Sequence, residues 1–227
     1  MKKMLMTSLA IILSIIFLGS LTFLSGMPGT AIASDAKTLN FALSGNPDTL
    51  DPHKTSGTLT FQTLKSVYDT LAEPDRTGKI VPALAEKWVV SDDGKTWTFT
   101  LRKGVVFHNG DALTAKDVKA TIERIKDKEI GSPNANEFGP ITEIETPDDF
   151  TVVLKLSAPS APLLGTLASG WGAILPKSLI DSDHDFTDKP VGTGPFKLTQ
   201  WVRDGKIVLE KNKTYWMDGL PKLESVV

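Results

Sequence analysis

Few residues in this sequence combine the type and the spacing that chemistry requires. Cysteine is absent, which removes disulfides, thiolate metal sites, thiol nucleophiles and a lipid-modified N-terminal cysteine. The three histidines, His53, His108 and His184, fall in three separate loops with no pair at i,i+3 or i,i+4. Metal ligation needs converging donors in a rigid frame, so the three read as solvated or turn histidines and no metal site is expected. No Gly-x-Ser-x-Gly elbow, His-Glu-x-x-His pair or Walker loop occurs. Gly192-Thr193-Gly194-Pro195 is rich in glycine but precedes a strand pattern. It lacks the helix N-terminus that would hold a phosphate and reads as a backbone turn. The carboxylate pairs Asp92-Asp93 and Asp148-Asp149 lie in turn-like segments, where Asp bonds to nearby backbone. Of the five tryptophans, Trp88, Trp97, Trp201 and Trp216 read mainly as core. Trp171, between Gly170 and Gly172, has the best claim to face a ligand, with core packing as the rival reading. No nucleophile–base set emerges and no cofactor is expected, so these residues point to a binder rather than an enzyme.

Composition narrows the setting. The chain of 227 residues is 41% hydrophobic and 23% charged, values of an ordinary globular protein rather than a collagen, a coiled coil or a disordered chain. The formal charge of −2 argues against nucleic acid as a partner, because phosphate-binding domains carry a basic excess. Lys2 and Lys3 precede an uncharged run up to Asp35, most apolar from Leu9 to Leu24, followed by Gly26, Pro28 and Gly29 and then Ala31-Ile32-Ala33. A basic start, an apolar stretch, helix breakers and a small-x-small site form a secretory signal peptide, with the cut expected after Ala33. Removing 33 of 227 residues, two of them lysines and none acidic, moves the charge from −2 to −4. The rival is an uncleaved anchor, since Met4 to Leu24 is long enough to span a bilayer of about 30 Å. Both readings place the remaining residues, 34–227, outside the cytoplasm.

The elements that must position these residues follow from periodicity. Alternation predicts a strand over 38–43, and Asn46-Pro-Asp-Thr-Leu-Asp-Pro52 is a loop. Phe61, Leu64, Val67 and Tyr68 predict a helix over 60–70. Residues 73–78 form a turn, and Pro82 near a first position predicts a short helix over 81–86. Trp97, Phe99 and Leu101 alternate with threonines opposite Lys87–Val90, a hairpin with one wet face closed by Ser91-Asp-Asp-Gly-Lys95. Val105–Phe107 reads as a short strand. Thr114 and Asp117 form a weaker capping box for a helix that buries Val118, Ile122 and Ile125. Residues 127–139 read as loop, Phe150–Leu156 as a strand, 159–168 as a short helix, 171–175 as ambiguous and 176–180 as a helical turn. Residues 196–202 and 206–210 form a second hairpin around Arg203-Asp-Gly205. The pattern predicts one strand-rich α+β unit built on hairpins rather than βαβ repeats.

Several segments in unbroken order carry a resemblance. Val81-Pro-Ala-Leu-Ala-Glu-Lys-Trp88, Ser91-Asp-Asp-Gly-Lys-Thr-Trp-Thr-Phe99, Leu101-Arg-Lys-Gly-Val-Val-Phe-His108, Asn109-Gly-Asp111 and Leu113-Thr-Ala-Lys-Asp-Val118 resemble the family 5 solute-binding proteins of ABC importers, the dipeptide- and oligopeptide-binding group. Asn46–Pro52 is similar to that family's opening loop, and Pro190–Phe196, Tyr215-Trp216 and Gly219-Leu-Pro221 to its later landmarks. The resemblance implies a lobe like that of type II periplasmic binding proteins. It also implies that residues 34–227 are an incomplete first lobe, because members are roughly twice as long and close two lobes on a ligand. Their first lobe is completed by a returning tail, and in peptide-binding members the acidic residue for the ligand's amino terminus comes from the other lobe. Thr55-Ser56-Gly57-Thr58 matches a loop along the ligand cleft, which makes Ser56, Gly57 and Thr58, with Trp171, the candidate ligand-binding residues. Capping of the following helix is the rival role for one of the hydroxyls.

The resemblance implies an extracytoplasmic, periplasmic substrate-binding component that takes peptides or a related small solute and works with a membrane permease. Nickel chelates, glutathione and oligosaccharides are alternative ligands within the family. A separate second-lobe chain is a partner this reading allows. Rivals from other classes are a secreted hydrolase, which the missing nucleophile–base set disfavours, a membrane-anchored non-catalytic interaction module, and a fragment of an interrupted gene.

Overall fold

The computed structural model describes residues 37–227, so the expected signal peptide lies outside the described residues. The signals strongest in the sequence become the centre of the fold. Strand β4 (Ala85–Val90) and strand β5 (Thr96–Leu101) form the expected hairpin. Its turn is held by Asp93, whose Oδ1 accepts from the Lys95 N–H at 3.0 Å, and by Gly94 at φ 68°. β5 alternates as predicted: Trp97, Phe99 and Leu101 are buried while the threonines between them are half-exposed. β5 pairs with β7 (Thr151–Leu156), which pairs with β6 (Ile141–Asp148), giving an antiparallel sheet in the order β4-β5-β7-β6. The sequence reading missed β6, whose two register shifts break the alternation that would have revealed it.

Helix α2 (Ala115–Lys126) contributes Val118, Ile122 and Ile125 to the core shared with this sheet. Its capping box is real: the Thr114 N–H and hydroxyl both donate to Asp117 Oδ2 at 2.8 Å. The other Asp117 oxygen accepts the N–H of Lys177 at 2.8 Å, tying on the short helix α4 (Lys177–Ile180).

A second core, with Leu50, Tyr68, Leu175, Phe186 and Phe196, lies against another sheet. There β8 (Phe196–Val202) and β9 (Lys206–Lys211) make the expected hairpin. β10 (Ser225–Val226) extends it antiparallel, and β1 (Thr38–Leu39) pairs parallel with β10. β1 is two residues long, not the six expected, because the β10 segment it pairs with is itself only two residues long.

Three expectations are corrected. Residues 81–86 are not a helix. β2 (Ala72–Pro74) and β3 (Ile80–Pro82) pair around the 75–78 turn, and the chain bends directly into β4. The N–H of Leu84 bonds to the Thr70 carbonyl and that of Ala85 to the Leu71 carbonyl, so distant partners outbid the local proline signal. The strand at 105–107 shrinks to one bridge between Val106 and Ala112. Helix α1 covers Thr58–Leu64 rather than 60–70. It stops because the Ser66 and Val67 carbonyls accept from Phe196 and Gly194 instead of continuing the helix. The 159–168 segment holds the five-residue helix α3 (Leu163–Leu167), and 3₁₀ turns form at Ala135–Phe138 and Gly170–Gly172.

The Gly192–Pro195 segment is a structural turn, as expected, and its glycines are required by close approach. A Cβ on Gly192 would lie 2.3 Å from the Val67 carbonyl oxygen, and one on Gly194 2.5 Å from the Val67 carbonyl carbon. Gly192→Ala is therefore expected to destabilise the fold by about 1–3 kcal/mol, the usual cost of forced overpacking. A denaturant midpoint unchanged by this substitution would show that the strap can lift off Val67 freely.

Candidate functional site

The loop from Pro47 to Thr58 is built on its own side chains. Asp51 Oδ1 accepts the His53 N–H at 3.0 Å, and the Asp51 N–H donates to Thr49 Oγ1 at 3.1 Å, short-range bonds of the kind that shape Asp- and Thr-rich turns. Arg124 of α2 anchors the loop from below. Its guanidinium grips Asp51 with two bonds, 3.1 Å to Oδ1 and 2.6 Å to Oδ2, and donates to His53 Nδ1 at 2.8 Å. Because Nδ1 accepts, the His53 ring carries its proton on Nε2 and donates to the Ala173 carbonyl at 3.0 Å.

His53 thus corrects the expectation of a solvated histidine: it is fully buried. His108 is half-buried and donates from Nε2 to the Gly194 carbonyl at 3.0 Å. His184 bonds the Lys189 carbonyl at 2.8 Å. All three serve backbone, the turn half of the expectation.

Burial, and then the Arg124 charge, pushes His53 down to about 4, against the opposing pull of Asp51 and Ala173. The folded state therefore holds His53 neutral while the unfolded chain takes a proton near pH 6.5. Its contribution is intact above pH 6.5 and is lost as pH falls from there to about 4, a loss of about 3 kcal/mol. His108, pushed to about 4 mainly by burial, acts with the same sign. Urea midpoints measured at pH 7, 5.5 and 4 are expected to fall steeply, and to fall less in His53→Gln. Equal slopes for the two proteins would remove His53 from this account.

The loop's far end holds the candidate residues. Ser56 and Thr58 are exposed and Gly57 is half-exposed. Gly57 caps α1: its carbonyl accepts the Phe61 N–H at 3.2 Å, and no side chain caps the helix. Its own N–H donates to Thr55 Oγ1 at 2.9 Å. Both backbone polar groups of Gly57 are therefore used internally, and the groups this loop turns outward are the Ser56 and Thr58 side chains. The supports were not visible in the sequence. Asp48 accepts the hydroxyls of Thr55 and Thr60, and Asn134 Nδ2 donates to the Thr55 carbonyl at 3.0 Å.

Trp171 connects to this loop through α1. Its ring meets Phe61, one turn beyond the Gly57 cap, edge-on at 6.0 Å and 71°. The contact depends on Gly170, where a Cβ would come within 2.4 Å of the Phe61 ring. Trp171 is half-buried, packs against the first core, and its buried indole N–H has no acceptor among the described residues. The structure thus links Trp171 with Ser56-Gly57-Thr58 through one short helix.

Beside Gly170 opens a cavity of about 340 Å³ lined by Lys65, Asp69, Glu73, Ala173 and Tyr215 among others. Asp69 accepts from Thr193 Oγ1 at 2.8 Å, Trp216 Nε1 at 3.0 Å and the Tyr215 hydroxyl at 3.3 Å. Burial raises its carboxyl despite these three donors, because no cation pairs with it among the described residues. The network ties the Tyr215-Trp216 landmark to Asp69, in the segment that follows α1. Among the described residues no group of histidines and carboxylates is spaced to hold a metal ion. The candidate residues offer two exposed hydroxyls and a half-buried aromatic ring.

Residues 79–227 match the family described as bacterial extracellular solute-binding proteins, family 5 Middle. The glutathione-binding protein GsiB of Salmonella choleraesuis strain SC-B67 is 35% identical over 210 residues, covering 92% of this chain and 40% of that protein. The binding protein AgaA from A. tumefaciens R10, solved with agropinic acid, superposes with a TM-score of 0.79 at 40% identity, covering 83% of this chain and 38% of AgaA. DppA from Helicobacter pylori, solved with the peptide STSA, gives a TM-score of 0.75 at 35% identity, covering 83% and 41%. The expected fold is met: a mixed α and β, hairpin-rich unit shaped like part of a periplasmic binding protein. The chain spans about 40% of the length of the curated relatives it matches. Those relatives hold the rest of their length in the same polypeptide, so the idea of a separate second-lobe chain gains no support. No helix among the described residues is long and apolar enough to cross a membrane.

Proposed function

The chain belongs to the bacterial extracellular solute-binding proteins of family 5, and from that membership we propose that it serves an ABC importer as part of its substrate-binding component, outside the cytoplasm. Ser56, Gly57, Thr58 and Trp171 form the wall it offers to the solute. The solute is a peptide or a small peptide-like compound. This ligand class is supported by the relatives, whose names and structures record glutathione and the peptide STSA. The observation that carries the site is the loop at 55–58: Ser56 and Thr58 are exposed and their side chains make no hydrogen bond among the described residues, while both backbone groups of Gly57 are bonded to neighbouring residues of the chain.

Transport in such systems couples closure around the ligand to a membrane permease, which is the partner proposed here. The chain itself carries out no catalysis.

One wall encloses a ligand less than a closed cleft does, so binding by residues 34–227 alone is expected on the order of millimolar, about −4 kcal/mol. Titration with reduced glutathione and with a di- to pentapeptide pool, followed by NMR, is expected to shift the amides of residues 56–58 and the Trp171 indole first. Shifts confined to other regions would move the site, and a micromolar fit would reveal a complete site elsewhere on the chain. For export, N-terminal sequencing of the secreted protein is expected to begin at Ser34. Recovery of Met1 in the membrane fraction would replace the signal peptide with an anchor.

A further inference from the structure

Asp48 stands at the centre of the hydrogen bonds that shape the 55–58 loop. Its side chain is exposed, while the two threonines it serves, Thr55 and Thr60, are 1% and 2% exposed. Oδ1 accepts the Thr55 hydroxyl at 3.0 Å, the Thr49 N–H at 3.0 Å and the Thr60 hydroxyl; Oδ2 accepts the Thr55 hydroxyl at 3.0 Å. The Asp48 N–H returns a bond to Thr60 Oγ1 at 3.2 Å.

With its proton committed to Asp48, Thr55 Oγ1 presents its lone pair to the Gly57 N–H at 2.9 Å. The carboxylate therefore orients a hydroxyl, and the hydroxyl orients the peptide between Ser56 and Gly57. Gly57 fits closely over these groups: a Cβ there would lie 3.3 Å from Thr55 Oγ1, 3.4 Å from Thr60 Oγ1 and 3.7 Å from Asp48 Oδ1. On the other side, Asn134 holds the Thr55 carbonyl. A carboxylate is a stronger acceptor than a neutral oxygen, and one carboxylate here serves both the start of the loop and the first turn of α1.

We propose that Asp48 is a positioning residue: it fixes the Thr55–Thr58 loop in its solute-facing shape, acting through the Thr55 hydroxyl on Gly57. The inference rests on the reading of that loop as the solute wall. A ligand meeting a loop already held in place loses less conformational freedom on binding, so this exposed carboxylate acts on affinity by holding the loop.

Amide hydrogen exchange of the full chain, read residue by residue, tests the positioning directly and needs no ligand. In Asp48→Ala the Gly57 amide is expected to exchange roughly tenfold faster or more, the factor that loss of one hydrogen bond implies. Amides of β4, β5 and β7 are expected to lose far less protection than Gly57, with the melting temperature lower by a few degrees because the buried Thr55 and Thr60 hydroxyls lose their acceptor. Asp48→Asn, which keeps one oxygen acceptor, is expected to recover part of the Gly57 protection. Unchanged Gly57 exchange in Asp48→Ala overturns the proposal. So does a uniform loss of protection across the sheets, which would make Asp48 a plain stability residue.

A parallel titration with reduced glutathione and the peptide pool separates the two readings. If the wild type binds, Asp48→Ala is expected to weaken affinity and Asp48→Asn to restore part of it; a loosened loop with unchanged affinity overturns the role. If the wild type shows no shift at residues 56–58 with any probe, the solute wall is the reading that fails, and Gly57 exchange still decides whether Asp48 positions the loop.

Discussion

Arg124→Ala is expected to destabilise the protein by about 3–5 kcal/mol, the range for breaking a buried ion pair by removing one partner. The Arg124 and Asp51 side chains are 8% and 1% exposed, so Asp51 would be left charged without a counter-ion. His53 Nδ1 would lose its donor, and the Phe186 ring would lose the guanidinium packed over it at 5.2 Å. For a chain of this size the melting temperature should fall by roughly 10 °C, taking about 2–4 °C per kcal/mol. Arg124→Lys should recover little, because a single ammonium does not reproduce two parallel bonds to one carboxylate. Thermal melts of both variants check this; a loss under about 1 kcal/mol would mean that water reaches Asp51 and replaces the arginine.

Trp97→Ala should cost a similar amount, about 3–5 kcal/mol for a large buried aromatic. Trp97 is 9% exposed, stacks on Phe99 at 6.2 Å and sits opposite Leu154 across the β5–β7 pair. The companion variant makes the test specific. The buried indole Nε1 of Trp97 has no acceptor among the described residues, so its polar atom adds nothing there that Phe would lose. Trp97→Phe is then expected to cost less than about 1.5 kcal/mol, the range of a shape-tolerant swap. Equal losses for Phe and Ala would mean that the indole makes a contact beyond its bulk.

What the sequence disclosed and what it withheld divide by distance along the chain. β4–β5, α2 and β8–β9 were readable because their signals are local: a two-residue alternation, a Thr–Asp box and turns with glycine. The Val81–Glu86 segment defeats the pattern because Glu73 and Ala72, which pair with Val81 and Pro82, show no alternation to mark a strand, and Leu101, which pairs with Ala85, is sixteen positions away. α1 ends before its apolar periodicity does, because nothing near Val67 announces that Gly194 takes its carbonyl.

The site follows the same rule. Ser56, Gly57 and Thr58 were found by resemblance to a family, not by pattern, and Trp171 by its flanking glycines. The groups beneath them stayed hidden. Asp51 and Arg124 are separated by 73 positions, and Asn134 reaches Thr55 across 79. Burial of His53 was also out of reach, since it depends on an arginine and a carbonyl from two other parts of the chain.

The parallel pairing of β1 with β10 carries a consequence for the order of folding. The Thr38 and Ser225 hydroxyls meet at 2.8 Å across 187 positions of chain, whereas β4 and β5 are joined by a five-residue turn. Closing the longer loop costs more entropy, and the two-residue β1 has little ladder to offset it. The β4-β5-β7-β6 sheet is complete once residue 156 has emerged. A chain delivered from its N-terminus therefore has one finished sheet and one waiting sheet, and β1 stays unpaired until the last described residues arrive.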